Sequence, residues 1–116
     1  MSFLQAQLPF WTLLKSPLPE NPEVTREELF RELRFRSFLE AIGFMSLVAP
    51  GCDALDHHPR WENAYRVIRV YLSTWDEGLH AVSVRDIRLA EYFDQMYAAF
   101  PGKDEPDETP AGSAQS

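Results

Sequence analysis

From Phe10 to Leu14 the chain carries a short apolar run of strand length. From Leu29 to Phe35 apolar and charged side chains alternate, with Leu33 and Phe35 on one face and Arg34 and Arg36 on the other. Both segments are predicted strands. Between them, Ser16 to Thr25 holds Pro17, Pro19 and Pro22 among polar neighbours, a pattern expected for a loop. At Ser37 the period changes: Ser37 and Glu40 form a Ser-x-x-Glu capping box, and Phe38, Ile42, Met45 and Val48 follow at helical spacing. That helix is expected to stop at Pro50-Gly51. Period two returns between Trp61 and Thr74, where Ile68, Val70 and Leu72 share one face and Val67, Arg69 and Tyr71 the other. This predicts a short strand at Trp61, a bend at Asn63-Ala64 and a long strand from Arg66. A second capping box, Ser83 with Asp86, opens a final helix in which Ile87, Ala90, Phe93, Tyr97 and Phe100 recur before Pro101-Gly102.

The order strand, strand, helix, strand, strand, helix suits an α+β layer: helices packed on one face of an antiparallel sheet. The other sheet face and the free edges then need cover, and pairing between subunits would supply it. Three parts are predicted: an extension over 1–9, a domain over 10–101 and a disordered acidic tail over 102–116, whose Asp, Glu, Pro, Gly and Ser would bury almost nothing if ordered. No repeat or heptad pattern is visible.

Composition narrows the function. The 116 residues suffice for one small domain, and 45% hydrophobic against 25% charged residues is an ordinary globular balance. A net charge of −7 repels phosphate backbones and anionic membranes, so direct nucleic-acid binding is not expected. The single Cys52 allows no internal disulfide. No run approaches the roughly 18 uncharged apolar residues of a membrane span, and Met1 to Leu14 lacks the basic region and cleavage site of a signal peptide. The expectation is a cytoplasmic protein.

The densest chemistry lies in Asp53-Ala54-Leu55-Asp56-His57-His58-Pro59-Arg60-Trp61. A loop ended by proline can turn both imidazoles towards one pocket, where two groups titrating near neutrality could serve as acid and base, one ring oriented by Asp53 or Asp56. The same histidines could instead merely cap the helix or cover the sheet. A metal site is not expected, because the remaining histidine, His80, reads as a solvated loop residue and Cys52 stands apart. Trp61 and Tyr65, beside the bend, read as packing residues.

Asp53, His57-His58-Pro59, Tyr65, Trp75 and Asp86, in that order and spacing, resemble the signature of the pterin-4a-carbinolamine dehydratases. Arg34-Phe35-Arg36-Ser37-Phe38 with Ala41 and Phe44-Met45 is similar to that family's strand-to-helix segment, and Tyr71-Leu72-Ser73-Thr74-Trp75 to its pocket-lining strand end. The resemblance covers roughly Phe30 to Phe93. It implies a four-stranded antiparallel sheet with helices on one side, assembling as a homodimer or homotetramer. It implies dehydration of 4a-hydroxytetrahydrobiopterin to quinonoid dihydrobiopterin, with no metal or cofactor. His57 and His58 would be the catalytic pair supported by Asp53, and Asp56, Ser73, Thr74, Trp75 and Asp76 would line the pterin site with them. Trp75 stands where the animal enzymes have a third histidine; an indole cannot transfer protons but can stack on a flat ring. Asp86 matches the signature's last acid, and as third residue of a Ser-capped helix it also stabilises the helix terminus. The family's helix before the first strand has little room here, the proline-rich segment is longer than usual, and the loop from Asp76 to Val82 is extended. The resemblance also carries a second role, as a binding or assembly module with a protein partner: a transcriptional cofactor or a rubisco assembly factor.

Overall fold

A computed structural model describes residues 6–76 and 79–104. The strands are β1 (Thr12–Leu18), β2 (Asn21–Arg34), β3 (Arg60–Ala64), β4 (Val67–Leu72), β5 (Thr74–Asp76) and β6 (Leu79–Ala81). The long helices are α1 (Phe38–Leu55) and α2 (Val84–Ala99), and Ala6 and Gln7, ahead of the first strand, are also helical. Four strands form an antiparallel sheet in the order β1-β2-β4-β3, and β5 and β6 make a separate hairpin. The α+β layer expected from the alternation is present. Register puts Leu29, Arg31 and Leu33 of β2 opposite Leu72, Val70 and Ile68 of β4, all buried on one face. That face meets Ala41, Phe44, Val48 and Cys52 of α1 and Leu89, Ala90, Phe93 and Tyr97 of α2. The opposite face carries a Phe30–Tyr71 ring contact and an ion-pair ladder in which Glu32 meets Arg34 and Arg69.

Arg31 is the charged exception on the apolar face. Its guanidinium is 2.5 Å from the Asp94 carboxylate, which also accepts a hydrogen bond from Trp11 Nε1 at 2.9 Å. Burial pushes the Asp94 carboxyl above the usual range, with the Arg31 charge opposing it. The cluster ties β2, α2 and the segment before β1 together.

Several sequence expectations give way to tertiary context. Ser16 to Thr25 is no loop: it forms the end of a hairpin between β1 and β2, turning at Pro19-Glu20. Prolines are tolerated because β1 is an edge strand, and because register slips between Pro17 and Leu18, leaving Pro22 outside the paired ladder. Pro50-Gly51 does not stop α1, which runs on to Leu55. Proline removes one helical hydrogen bond there, whereas residues on both sides of it are held by packing. Gly51 serves a helix–helix contact, since a Cβ there would lie 2.1 Å from the Tyr92 ring. By length and mean hydropathy, 1.4 over its 18 residues, α1 matches a membrane-crossing helix; its buried face is Ala41, Phe44, Val48 and Cys52, whereas Phe38 and Ile42 of the expected apolar stripe are exposed. The β3–β4 turn falls at Tyr65-Arg66 rather than Asn63-Ala64. Asn63 belongs to β3 and donates from Nδ2 to the Tyr65 and Val67 carbonyls. Tyr65 adopts a left-handed φ of 57° and is 70% exposed, so it does not pack, whereas Trp61 meets Phe93 edge-on at 6.0 Å.

The packed unit reaches beyond 10–101 at both ends. Leu8 is in the core, and Gly102, Lys103 and Asp104 are held by Arg36, Phe35, Arg34 and Arg66. Residues 1–5 and the acidic tail from 105 onward lie outside the described residues.

Candidate active site

α1 ends where Asp56 takes a left-handed conformation (φ 53°, ψ 43°), its N–H donating to the Asp53 carbonyl at 3.0 Å and the His57 N–H to the Cys52 carbonyl at 3.1 Å. Asp53 therefore sits on the last helical turn, and Asp56 is the cap. The chain then leaves through His57-His58 to Pro59, which restricts His58 to extended backbone. Neighbouring side chains diverge along such a segment. His57 turns inward and its Nε2 lies 2.6 Å from Asp86 Oδ1; His58 turns outward and its Nε2 lies 2.8 Å from Asp53 Oδ1.

The two pairs sit in different media. The His57 and Asp86 side chains are 11% and 0% exposed, those of His58 and Asp53 61% and 80%. Asp86 is fully satisfied: while Oδ1 meets His57, Oδ2 accepts from Thr74 Oγ1 at 2.7 Å and from the Ser83 N–H at 2.9 Å. The helix cap and the histidine partner are thus one carboxylate. With the carboxylate ionised, His57 donates from Nε2, which leaves Nδ1 as the nitrogen able to exchange a proton.

A cavity of about 330 Å³ has His58, Pro59, Ser73 and Trp75 in its wall. The remaining lining comes from Tyr71, which belongs to the strand end marked as pocket-lining, from Arg60 of the Asp53–Trp61 stretch, and from Arg26, Glu28 and His80, which the sequence did not single out as site residues. Arg60 binds the Glu28 carboxylate at 3.1 and 3.2 Å and lies over the Tyr71 ring, 3.9 Å from its centroid. Trp75 also walls a neighbouring cavity of about 320 Å³ with Thr74, Ser83, Val84 and Arg85. On the other side, His58 and Pro59 border a cavity of about 200 Å³ that includes Cys52, Asp53 and Trp61. Burial, and then the Asp53 charge, push the Cys52 thiol above its ordinary range, which favours the inert thiol form.

The structure thus gathers His58, Ser73 and Trp75 around one cavity. Asp53 reaches it through His58, and Thr74 reaches His57 through Asp86. His57 is not in the wall of the 330 Å³ cavity, and the exposed Asp56 is not either. Asp76 pairs with Leu79 through its backbone, and its side chain lies outside what is described. His80 is the clear correction: it is not a solvated loop residue but a strand residue 5% exposed, its ring 3.9 Å from that of Trp75. The pairing of Trp75 with His80 across β5 and β6 could be found only once that hairpin was known. Among the described residues, no three His, Cys, Asp or Glu side chains converge as a metal site would require.

A family model described as pterin 4 alpha carbinolamine dehydratase matches residues 2–96. The chain belongs to that family. A relative from Prochlorococcus marinus (strain NATL2A), provisionally named a pterin-4-alpha-carbinolamine dehydratase, is 38% identical over 72% of this chain and 87% of its own length. Another with the same provisional name, from Nitrobacter winogradskyi, is 52% identical over 57% of this chain and 63% of its own length. Among solved structures, a transcriptional coactivator/pterin dehydratase from Brucella melitensis superposes with a TM-score of 0.62 at 28% identity, covering 84% of this chain and 97% of that one. The pterin dehydratase-like fold expected from the signature is therefore the fold of this chain.

Proposed function

We propose that this chain dehydrates 4a-hydroxytetrahydrobiopterin to quinonoid dihydrobiopterin by histidine acid–base catalysis, and so recycles tetrahydrobiopterin. The reaction breaks the bond from C4a to its hydroxyl, which leaves as water after taking up a proton, while a ring nitrogen gives up a proton and a C=N bond forms. Two positioned imidazoles supply and accept those protons. The observation that carries this reading is the His57–Asp86 pair, a proton-transfer group held at 2.6 Å by a fully buried carboxylate that the helix cap orients. His58, oriented by Asp53, is the second group, in the wall of a cavity that Trp75 and Ser73 share. A flat pterin fits such a wall through ring stacking on the indole. The chain's own charges need no metal for this step, because both proton carriers are imidazoles.

The test is direct: purified chain is mixed with enzymatically generated carbinolamine and quinonoid product is followed against the spontaneous reaction. Acceleration that His57→Gln removes supports the reading; a rate equal to the spontaneous one overturns it. The name of the Brucella structure favours a second role, protein binding. Phe38, Leu39 and Ile42, exposed at the start of α1, offer an apolar surface for a protein partner or for association into homodimers or homotetramers, and sedimentation velocity measures the latter. A cytoplasmic location belongs to the same reading.

A further inference from the structure

His80 stands out among the residues around the 330 Å³ cavity. It is 5% exposed, and its Nδ1 is buried with no hydrogen-bond partner among the described residues. Buried polar atoms in folded proteins are almost always paired, so an unmade bond calls for a reason. The location supplies one. The other buried side-chain atom without a partner is Arg26 Nε, and Arg26 lines the same cavity. Among the described residues, both side chains that carry such an unmade bond therefore belong to the lining of one cavity rather than being scattered through the core.

The hairpin explains how His80 arrives there. Antiparallel pairing of β5 with β6 sets Trp75 directly opposite His80, so both side chains stand on one face of the hairpin. Their rings meet at 3.9 Å with a 41° tilt, and both line the cavity. Burial holds the imidazole below its ordinary pKa; Arg26 and Arg60 push the same way, and Glu28 and Asp86 oppose. The ring is therefore neutral at pH 7, a state in which one nitrogen donates and the other accepts.

We propose that His80 is a further substrate-contacting residue, whose unpartnered ring nitrogen takes its missing hydrogen bond from the pterin bound beside Trp75 and His58. This rests on the pterin reading above and adds a contact from outside the recognisable signature. Packing of β6 against β2 then brings recognition and the ring-stacking wall together on one hairpin.

The experiment compares His80→Phe, which keeps a ring against Trp75 but removes both nitrogens, with His80→Asn, whose amide restores a polar group near the position of Nδ1. The probe is 7,8-dihydrobiopterin, a pterin that does not undergo the dehydration, titrated by calorimetry, alongside KM and kcat for the carbinolamine. His80→Phe should raise the dissociation constant and KM at least tenfold with a smaller change in kcat, and His80→Asn should recover part of the loss. A purely structural His80 would move neither binding nor KM selectively, nor be rescued by Asn. In the unaltered chain, the imidazole ¹⁵N resonances of His80 should shift on adding the probe, which decides the matter should His80→Phe fail to fold. Probe binding within twofold of wild type in a folded His80→Phe, or unmoved His80 resonances at saturation, overturns this proposal while leaving the pterin reading intact. A wild-type chain that neither binds the probe nor accelerates dehydration overturns both.

Discussion

His57 and His58 are neighbours in sequence, and each meets one carboxylate at nearly the same distance, 2.6 Å to Asp86 and 2.8 Å to Asp53. The resemblance ends there. Asp86 is 29 residues from His57, has no exposed surface and is held by Thr74 and Ser83. Asp53 is five residues from His58, largely in water, and shares its histidine with solvent. An ion pair or charged hydrogen bond in water is worth little because solvent competes for both partners. A desolvated carboxylate is different: it depends on every donor it has, so removing the group disturbs all of them. Equal distances therefore describe unequal interactions. The buried pair fixes a ring, and the exposed pair merely biases one.

The largest expected effect that tests this contrast is on stability. Asp86→Ala strips His57, Thr74 and the α2 terminus of their common acceptor, and should cost about 3 kcal/mol or more in urea unfolding. Asp53→Ala should cost less than about 1 kcal/mol. Similar losses in the two variants would break the contrast.

Next in size is the effect on rate. His57→Gln keeps an amide N–H near the position of Nε2 and so can still donate to Asp86, which His57→Ala cannot. Its dehydration rate should fall about a hundredfold or more with unfolding behaviour near wild type. His58→Gln should lose rate with even less effect on stability, since its side chain is 61% exposed. A His57→Gln enzyme at full rate would remove the buried pair from the chemistry.

Salt sharpens the contrast more gently. Raising the ionic strength from about 0.01 to 1 M shortens the screening length roughly tenfold. This should shrink the already small stability cost of Asp53→Asn, measured by urea unfolding at the two salt concentrations. The cost of Asp86→Asn, whose partners are buried, should barely respond.

The smallest effect comes from His80, buried like His57 but without a carboxylate hydrogen bond. Its pKa is lowered from 6.5 chiefly by desolvation, with Arg26 and Arg60 reinforcing and Glu28 and Asp86 opposing. A depressed histidine pKa means that the unfolded chain binds the proton more readily. The stability held by the neutral ring is therefore full above about pH 6.5 and declines as pH falls through the folded value. Unfolding free energies of His80→Phe and wild type should differ by a constant above neutrality and shift in favour of the variant towards pH 5. A parallel pair of pH curves would show that His80 is not buried in solution.

The helices and central strands were readable because their signals are local. Ser37 and Ser83 cap helices within three residues of themselves, and the alternation of Ile68, Val70 and Leu72 states which face of β4 is buried. The histidine pair and the acids beside it were equally plain in one stretch of chain, and the family in motifs spaced from Asp53 to Asp86. Pro17 and Pro22 misled because proline forbids strand pairing only where a partner strand demands its missing N–H, and a place at the sheet edge is not written in neighbouring residues. Gly51 misled for a related reason: it reads as a helix terminator until the Tyr92 ring is seen against it. His57 and His58 read as equals for one pocket, and extended backbone beside Pro59 parts them. The partner of His57, the burial of His80 and the cavity between β2, β4 and β6 are sums over segments distant in the chain. Capping and strand alternation act within a few residues and so are determined by the sequence itself. Desolvation depends on what packs around a group from every side, and only the tertiary structure decides that.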